Sequence, residues 1–517
     1  MAERPAPVRD LDWDPKRARA FTDGVADIYE DLLTRLRDLP VSRGWGIQEV
    51  RDAVVVPVPD DPMPEEELLN YLRRVTFGYS GYLGHPRFYA YISGAGTVPG
   101  AAADLLASGL NGNPGGWRLA PAATEIELGF ARWFAQDVFG LPATAGGALT
   151  SGGAMANFIA LKVARDAKAG WDIRKEGVAA GPTLALYVST ETHIVSIRGA
   201  DMLGLGSGNV RQIPVDPDYR IRVGELRSQI AEDRAAGIRP FAVVANAGTV
   251  STGVVDPLEE IADLCEEEDL WFHVDAAYGG PAMLADDLRP LFDGIERADS
   301  IAFDPHKWLY TPQSGGCVVV RDMELMRRAF DVDYVAYVVK DEDHTDWGID
   351  LGRHSPNFSR GFWALKVWVS LLAHGRKAYG RRISHDAALA RYLGARAEEH
   401  EEFELMTPVG LSITCFRFVP ADLSSSGLSS SGPRGNPGDP DHLARDEYLD
   451  RLNNRLMTEI QLDGRVYCSN AVLDGRFCLR SCIVNYRTEA EDMDALIDVA
   501  SELGAKLDVE LRPEALR

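Results

Sequence analysis

Lys307 sits in SIAFDPHKWLY (300–310), between His306 and Trp308 and behind a short apolar run. A long cationic side chain resists burial there unless its amine reacts or pairs. Upstream by 32 residues, LWFHVDAAYGG (270–280) is an apolar strand pattern that ends in Asp275 and then small residues. An amine and a carboxylate at the ends of two strands suit one kind of ligand. The amine condenses with an aldehyde to give an imine, and the carboxylate keeps a ring nitrogen protonated so that the ring draws electrons. Pyridoxal phosphate is such a ligand, and the pairing of Lys307 with Asp275 carries that reading.

A phosphate needs its own cradle. ALTSGGAMANFIALKVAR (148–165) passes from a strand into a helix through Ser151, Gly152, Gly153 and Ala154. Small residues let backbone amides approach an anion at a helix start, where the dipole also favours it. STETHIV (189–195) places His193 after a strand; alone it reads as a core histidine, and beside the pair above as an imidazole stacked on the pyridine ring. NAGT (246–249) offers Thr249, which either hydrogen-bonds near the ligand or closes a turn. GLGSG (204–208) lacks the spacing and following helix of a dinucleotide fingerprint and reads as a loop. DEDH (341–344) reads as a solvated charge run, and no metal is expected.

The elements that position these groups alternate. Apolar β-rich runs at 183–189, 241–248, 270–276 and 316–322 are separated by helical patterns, which predicts a mainly parallel sheet with helices on both faces. Residues 14–39 carry one helical face (Phe21, Val25, Ile28, Leu32, Leu36) ended by Pro40, and a second helix runs through Leu72. The expected division is an N-terminal helical arm at 1–84, a large domain at 85–385 and a small α+β domain at 386–517. ADLSSSGLSSSGPRGNPGDPD (421–441) reads as a flexible surface loop. A formal charge of −24 argues against nucleic acid and anionic membrane as partners. Six scattered cysteines argue against a disulfide framework and read as buried thiols. No signal-like or membrane-spanning run is evident, so a cytoplasmic location is expected.

The order TSGGAMAN, ETH, NAGT, HVDAAYGG, DPHKWL resembles the group II pyridoxal phosphate decarboxylases, which act on aromatic amino acids, glutamate or histidine. HPRFYAYISGAGTVPG (85–100), APAATEIE (120–127), SRGFWALKVW (359–368) and LRSCIVNYRT (479–488) extend the match to about residues 20–500. The resemblance implies an aminotransferase-like (fold type I) α/β homodimer, with the active site at the subunit interface and the N-terminal arm wrapping the partner. It implies Lys307 as the Schiff-base lysine, Asp275 as the ring-nitrogen partner and His193 as the stacking histidine. Gly152, Gly153 and Ala154 become part of the phosphate cradle. His306, Thr249, Ala277 and Asp304 join the cofactor shell, and Arg360 matches a family arginine near the active site.

The implied reaction is decarboxylation of an L-amino acid to its amine and carbon dioxide, with a loop tyrosine returning the proton to Cα. In AFDVDYVAYVVKDEDHTDWG (329–348) the family spacing falls on Ala336, so Tyr337 is assigned by a one-residue insertion, with Tyr334 in reserve. Without that tyrosine, oxygen intercepts the carbanion and yields an aldehyde. Beside Tyr91, Ile92 and Ser93 stand where the aromatic subgroup carries an aromatic and a proline, and Gly115 stands for an aromatic side chain. Ser359 is placed to touch the substrate end. An aromatic substrate is favoured, with an aliphatic one such as methionine or valine, or an aldehyde-forming oxidative reaction, as alternatives. A carbon–carbon lyase, and a binding subunit without chemistry, complete the set; the intact Lys307, Asp275 and His193 argue against the last.

Overall fold

LALYVS, FAVVAN, WFHVD, SIAF and GCVVV are mostly apolar and buried at every position, as in strands covered on both faces. The computed structural model describes residue 5 and residues 8–331, 348–424 and 440–516. In it, seven strands form one sheet: β1 (Gly146–Thr150), β2 (Leu184–Ser189), β3 (Val210–Ile213), β4 (Arg239–Asn246), β5 (Trp271–Asp275), β6 (Ser300–Phe303) and β7 (Gly316–Val320). Their order is β1-β7-β6-β5-β4-β2-β3. The run β6-β5-β4-β2-β3 is parallel, and β7 lies antiparallel between β1 and β6. This is the mainly parallel α/β sheet that the alternation predicts.

Alternate residues feed two cores. Val243 and Ala245 of β4 join Phe130, Ile230 and Ile261 on one face, while Ala242 and Val244 join Ile159, Val163 and Met326 on the other. A second, antiparallel sheet holds β8 (Phe403–Leu405), β9 (Ile413–Phe418), β10 (Ser469–Leu473) and β11 (Arg476–Cys482) in the order β10-β11-β9-β8. It packs with the helices Arg376–Glu399 and Ala490–Leu511 around a separate core that includes Leu393, Phe416, Leu496 and Ile497.

At the N-terminus, Asp14 caps the helix Pro15–Arg35 by accepting from the amides of Lys16 and Arg17 at 2.9 and 3.1 Å. Ile28 is the one buried residue of that helix, which suits a segment lying outside the main cores. The second expected helix runs further than Leu72, over Glu65–Gly78, because nothing before Gly78 breaks it. A helix at Ile47–Val54 was not anticipated; eight residues are too few for a periodic signal. GLGSG forms a turn and one 3-10 turn. All six cysteines are free and buried. Among the described residues no helix is long and apolar enough to cross a membrane, and no cluster of three or more metal-ligating side chains occurs. Tyr334, Tyr337, DEDH and most of 421–441 lie outside the described residues.

Candidate active site

Parallel strands in register deliver their carboxyl ends to one edge. Asn246 pairs with Asp275 across β4 and β5, and Asp275 with Ala302 across β5 and β6. The turns that follow β2, β4, β5 and β6 therefore gather there, the usual ligand-binding edge of such a sheet. They are ETH, NAGT, DAAY and DPHK.

Lys307 leaves β6 by a tight turn, its amide bonded to the Asp304 carbonyl at 3.0 Å. Its Nζ lies 3.0 Å from Asp304 Oδ2; the lysine side chain is 22 % exposed and that of Asp304 2 %. The half-open amine is thus held by a buried carboxylate whose other oxygen, Oδ1, has no partner among the described residues. Asp275, at the end of β5, is buried and accepts from the Ala277 amide at 3.1 Å. Ala277 is partly exposed, and its carbonyl accepts from the Asp304 amide at 3.1 Å, which ties the two turns together.

His193 is exposed, and its Nδ1 accepts from the Val195 amide at 3.3 Å, which fixes the ring's azimuth. Although the residue is exposed, partial desolvation of its ring lowers its pKa below the ordinary histidine value, partly offset by the charge of Asp275. His306 contacts the Gly315 carbonyl through Nδ1 at 2.5 Å. The helix Gly153–Lys168 begins at the small-residue turn. A Cβ on Gly153 would sit 2.6 Å from Asp304 Oδ2, so only glycine lets this helix start so near the lysine turn. Its first amides have no partner within the helix and suit a phosphate. An orphaned buried carboxylate oxygen, a glycine-only helix start and a half-open amine fit pyridoxal phosphate as the resident group.

Other expected residues stand differently. Thr249 is buried and closes its own turn, bonding Thr252 Oγ1 at 2.8 Å and the Val254 amide at 3.2 Å. Gly115 does not widen a pocket: a Cβ there would lie 2.1 Å from the Phe358 carbonyl oxygen, so backbone approach requires the glycine. Ser359 is exposed beside it in the chain, and Ile92 and Ser93 are half-buried. Tyr91 is 63 % exposed with φ 57°. Arg360 does not open into the substrate space. Its fully buried side chain pairs with Glu127 and donates to the Leu149 carbonyl at 2.8 Å and Ser355 Oγ at 2.9 Å.

Three supporting arrangements had gone unassigned. His273, two residues before Asp275, meets Asn157 Oδ1 at 2.8 Å, and Asn157 Nδ2 donates to the Gly153 carbonyl at 2.9 Å, linking β5 to the phosphate turn. Glu127 also accepts from the Leu149 amide at 2.8 Å, two residues before Ser151. Arg480 is buried and donates to the carbonyls of Tyr91 at 3.0 Å and Ser251 at 3.2 Å, while its Nη2 is unpartnered. The signal for Glu127 was present. It shares the buried stripe of its helix with Ala123, Leu128 and Ala131.

The model of the pyridoxal-dependent decarboxylase conserved domain matches residues 49–419. The chain belongs to this family. The decarboxylase is 35 % identical over 469 residues to an aromatic-L-amino-acid decarboxylase of Bacillus atrophaeus, covering 91 % of this chain and 92 % of that one. It is 31 % identical to a cysteine sulfinic acid decarboxylase of Mus musculus over 85 % of this chain and 87 % of that protein. Among solved structures, mouse CSAD superposes with a TM-score of 0.87 at 29 % identity, covering 95 % of this chain and 99 % of that chain. Oryza sativa TDC with PLP and tryptamine gives 0.85 at 25 % identity, with 96 % and 99 % covered. The decarboxylase is therefore a fold type I carbon–carboxyl lyase that uses pyridoxal phosphate on an amino acid.

Proposed function

We propose that the decarboxylase removes the carboxyl group of an aromatic L-amino acid and releases the amine. The observation that carries the choice of substrate is the 35 % identity, over nine-tenths of both chains, to an aromatic-L-amino-acid decarboxylase. Bound pyridoxal phosphate supplies the electron sink that takes up the electrons of the broken Cα–carboxyl bond. In this reading Lys307 would hold the group through its amine, and Asp304, 3.0 Å from Nζ, orients that amine toward it. Asp275 keeps the ring nitrogen protonated, and its burial strengthens that charge pairing. His193 would stack on the ring, His306 and Ala277 would border it, and Gly152, Gly153 and Ala154 would hold the phosphate. Thr249 shapes the turn above them. Tyr91, Ile92, Ser93 and Ser359 border the substrate, and Arg360 acts from behind by bracing β1. Tyr337, with Tyr334 in reserve, returns the proton to Cα.

A second copy completes the site in this proposal. Val98, Leu105, Leu106 and Leu110 are 42–69 % exposed on the helix Val98–Leu110, and Leu372 is 70 % exposed on the helix Ala364–His374 packed against it. Such a run of exposed leucines supports a homodimer. The two separate sheets support division into an arm (1–84), a large domain (85–385) and a small domain (386–517), and the free cysteines support a cytoplasmic setting.

An acidic substrate is the second reading. The buried guanidinium of Arg480 beside Tyr91, which pairs with no carboxylate among the described residues, favours it, as does the identity to cysteine sulfinic acid decarboxylase. The test is a product assay of protein loaded with pyridoxal phosphate against the common amino acids and cysteine sulfinate, reading carbon dioxide, amine, aldehyde and peroxide together. Amine from tryptophan, tyrosine or phenylalanine supports the proposal; turnover confined to acidic or aliphatic substrates overturns it. Aldehyde with peroxide from wild type would overturn the proton-return role of both tyrosines. Given amine from wild type, Tyr337→Phe is expected to switch the product to aldehyde and Tyr334→Phe to leave it unchanged.

A further inference from the structure

Lys307 is held from two sides, and only one belongs to the chemistry above. Trp308 and Tyr310, one and three residues after the lysine, are both buried. Trp308 Nε1 donates to Asp386 Oδ2 at 3.0 Å, and the Tyr310 hydroxyl donates to the same oxygen at 2.6 Å. One carboxylate oxygen therefore gathers both rings that follow Lys307, from 76 residues or more along the chain. The turn between them is constrained. The Tyr310 amide bonds the Lys307 carbonyl at 3.2 Å, the Tyr310 carbonyl accepts from the Thr97 amide at 2.9 Å, and Tyr310 has φ 51°, a left-handed value that a tyrosine adopts at a cost. Trp308 also stacks on Tyr278 at 5.1 Å between ring centroids, three residues beyond Asp275.

Asp386 is itself anchored. Its Oδ1 accepts from Arg382 Nε at 2.8 Å, and Arg382 Nη2 donates to the carbonyls of Asn485 at 3.1 Å and Thr488 at 2.7 Å, beyond β11. The chain of contacts runs from the second sheet, through Arg382 and Asp386, to the two rings and the lysine turn. Trp308, Tyr310, Asp386 and Arg382 are buried or half-buried in it, and none of them has a place in the reaction proposed above. An aspartate on the buried stripe of its helix, among Ile383, Ala387 and Ala390, carries a desolvation cost that packing alone does not require.

We infer that Asp386 is a positioning residue for Lys307: through Trp308 and Tyr310 it fixes the turn from which the lysine amine presents itself to pyridoxal phosphate, and it couples that turn to the C-terminal sheet. The inference rests on the reading of Lys307 given above. The charged and titratable groups around the carboxylate are Arg382 on its own helix, Tyr310 on the lysine turn, and Cys482 on β11.

The test titrates wild type, Asp386→Leu, Asp386→Asn, Lys307→Ala and the pair Trp308→Phe/Tyr310→Phe with pyridoxal phosphate. The visible absorbance of the lysine adduct is followed across neutral to alkaline pH, and thermal unfolding is measured in parallel without the cofactor. Asp386→Leu is expected to weaken adduct formation about tenfold or more, the weight of one hydrogen bond to a charged acceptor, and to move the pH midpoint of the adduct. Asp386→Asn, whose one amide oxygen can accept from both rings only with its NH2 turned to the Arg382 N–H, is expected to restore part of the midpoint. Adding the ring pair to Asp386→Leu is expected to change little further, because the same contacts are already gone. Wild-type midpoint and affinity in Asp386→Leu and in the ring pair, with loss confined to thermal stability, would overturn the inference. If Asp386→Leu does not fold, Tyr310→Phe takes its place, and an unshifted midpoint there overturns the inference equally. No adduct in wild type, or an adduct that survives Lys307→Ala, overturns the reading of Lys307 and this inference with it.

Discussion

Arg360 and Glu127 give the sharpest energetic test of how the phosphate turn is braced. Both side chains are fully buried and form an ion pair. Each also grips the main chain of Leu149, Glu127 through its amide at 2.8 Å and Arg360 through its carbonyl at 2.8 Å. Arg360→Met strands a carboxylate in the interior, a change that typically costs about 3–5 kcal/mol. Burial already pushes the Glu127 carboxyl above its ordinary value, and loss of the Arg360 charge pushes it further the same way, which keeps the loss within that range. Glu127→Leu with Arg360→Met removes both charges and is expected to recover most of the stability, because two paired ions cost more to desolvate than two apolar side chains. Unfolding of a chain with several separate cores is not all-or-none, so the quantity compared is the shift of the first urea transition across the double-mutant cycle. Pyridoxal phosphate affinity is measured alongside and is expected to fall in Arg360→Met, since Leu149 leads directly into the turn. A single substitution costing less than about 1 kcal/mol, or a double variant as unstable as the two single losses added, would refute the argument.

Other outcomes follow from the same geometry. Burial holds the imidazoles of His85 and His273 down at about 4, against an ordinary value near 6.5, so the unfolded chain binds more protons between those values and stability falls as pH drops from about 6.5 to 4. Each contributes up to about 3 kcal/mol. Asp386, pushed up to about 7 by burial, opposes that trend, so thermal unfolding against pH is compared between wild type and His273→Leu, whose acid-side loss is expected to be shallower. Equal slopes would refute the assignment. Gly115→Ala is expected to lower stability by about 1–3 kcal/mol without altering substrate preference, because its methyl group meets the Phe358 carbonyl rather than a ligand; a changed preference in folded protein would contradict this. Asp275→Asn is expected to lower kcat by at least about a hundredfold while the cofactor still binds, and near-normal turnover would remove Asp275 from its proposed role.

The sequence showed what is local and hid what is distant. Strand ends were legible because an apolar run that stops at Asp275 or before Lys307 announces both the strand and the residue it presents. The parallel sheet followed from alternation alone, and the turns after β2, β4, β5 and β6 could be read as one site because such strands point the same way. The braces could not be read so directly. Glu127 meets Arg360 across 233 residues and Asp386 meets Trp308 across 78, and no spacing rule joins positions so far apart. What a sequence does carry is the misfit, a carboxylate on an otherwise buried helical stripe, at Glu127 and again at Asp386. Gly115 is the converse case. The absence of a side chain there answers to the Phe358 main chain, whose carbonyl oxygen a Cβ would meet at 2.1 Å. A buried charge costs too much to stand without a partner, whereas a glycine is as often demanded by backbone contact as by a pocket. An unexplained acidic residue on an apolar stripe is therefore the stronger guide to the inner supports of such a site.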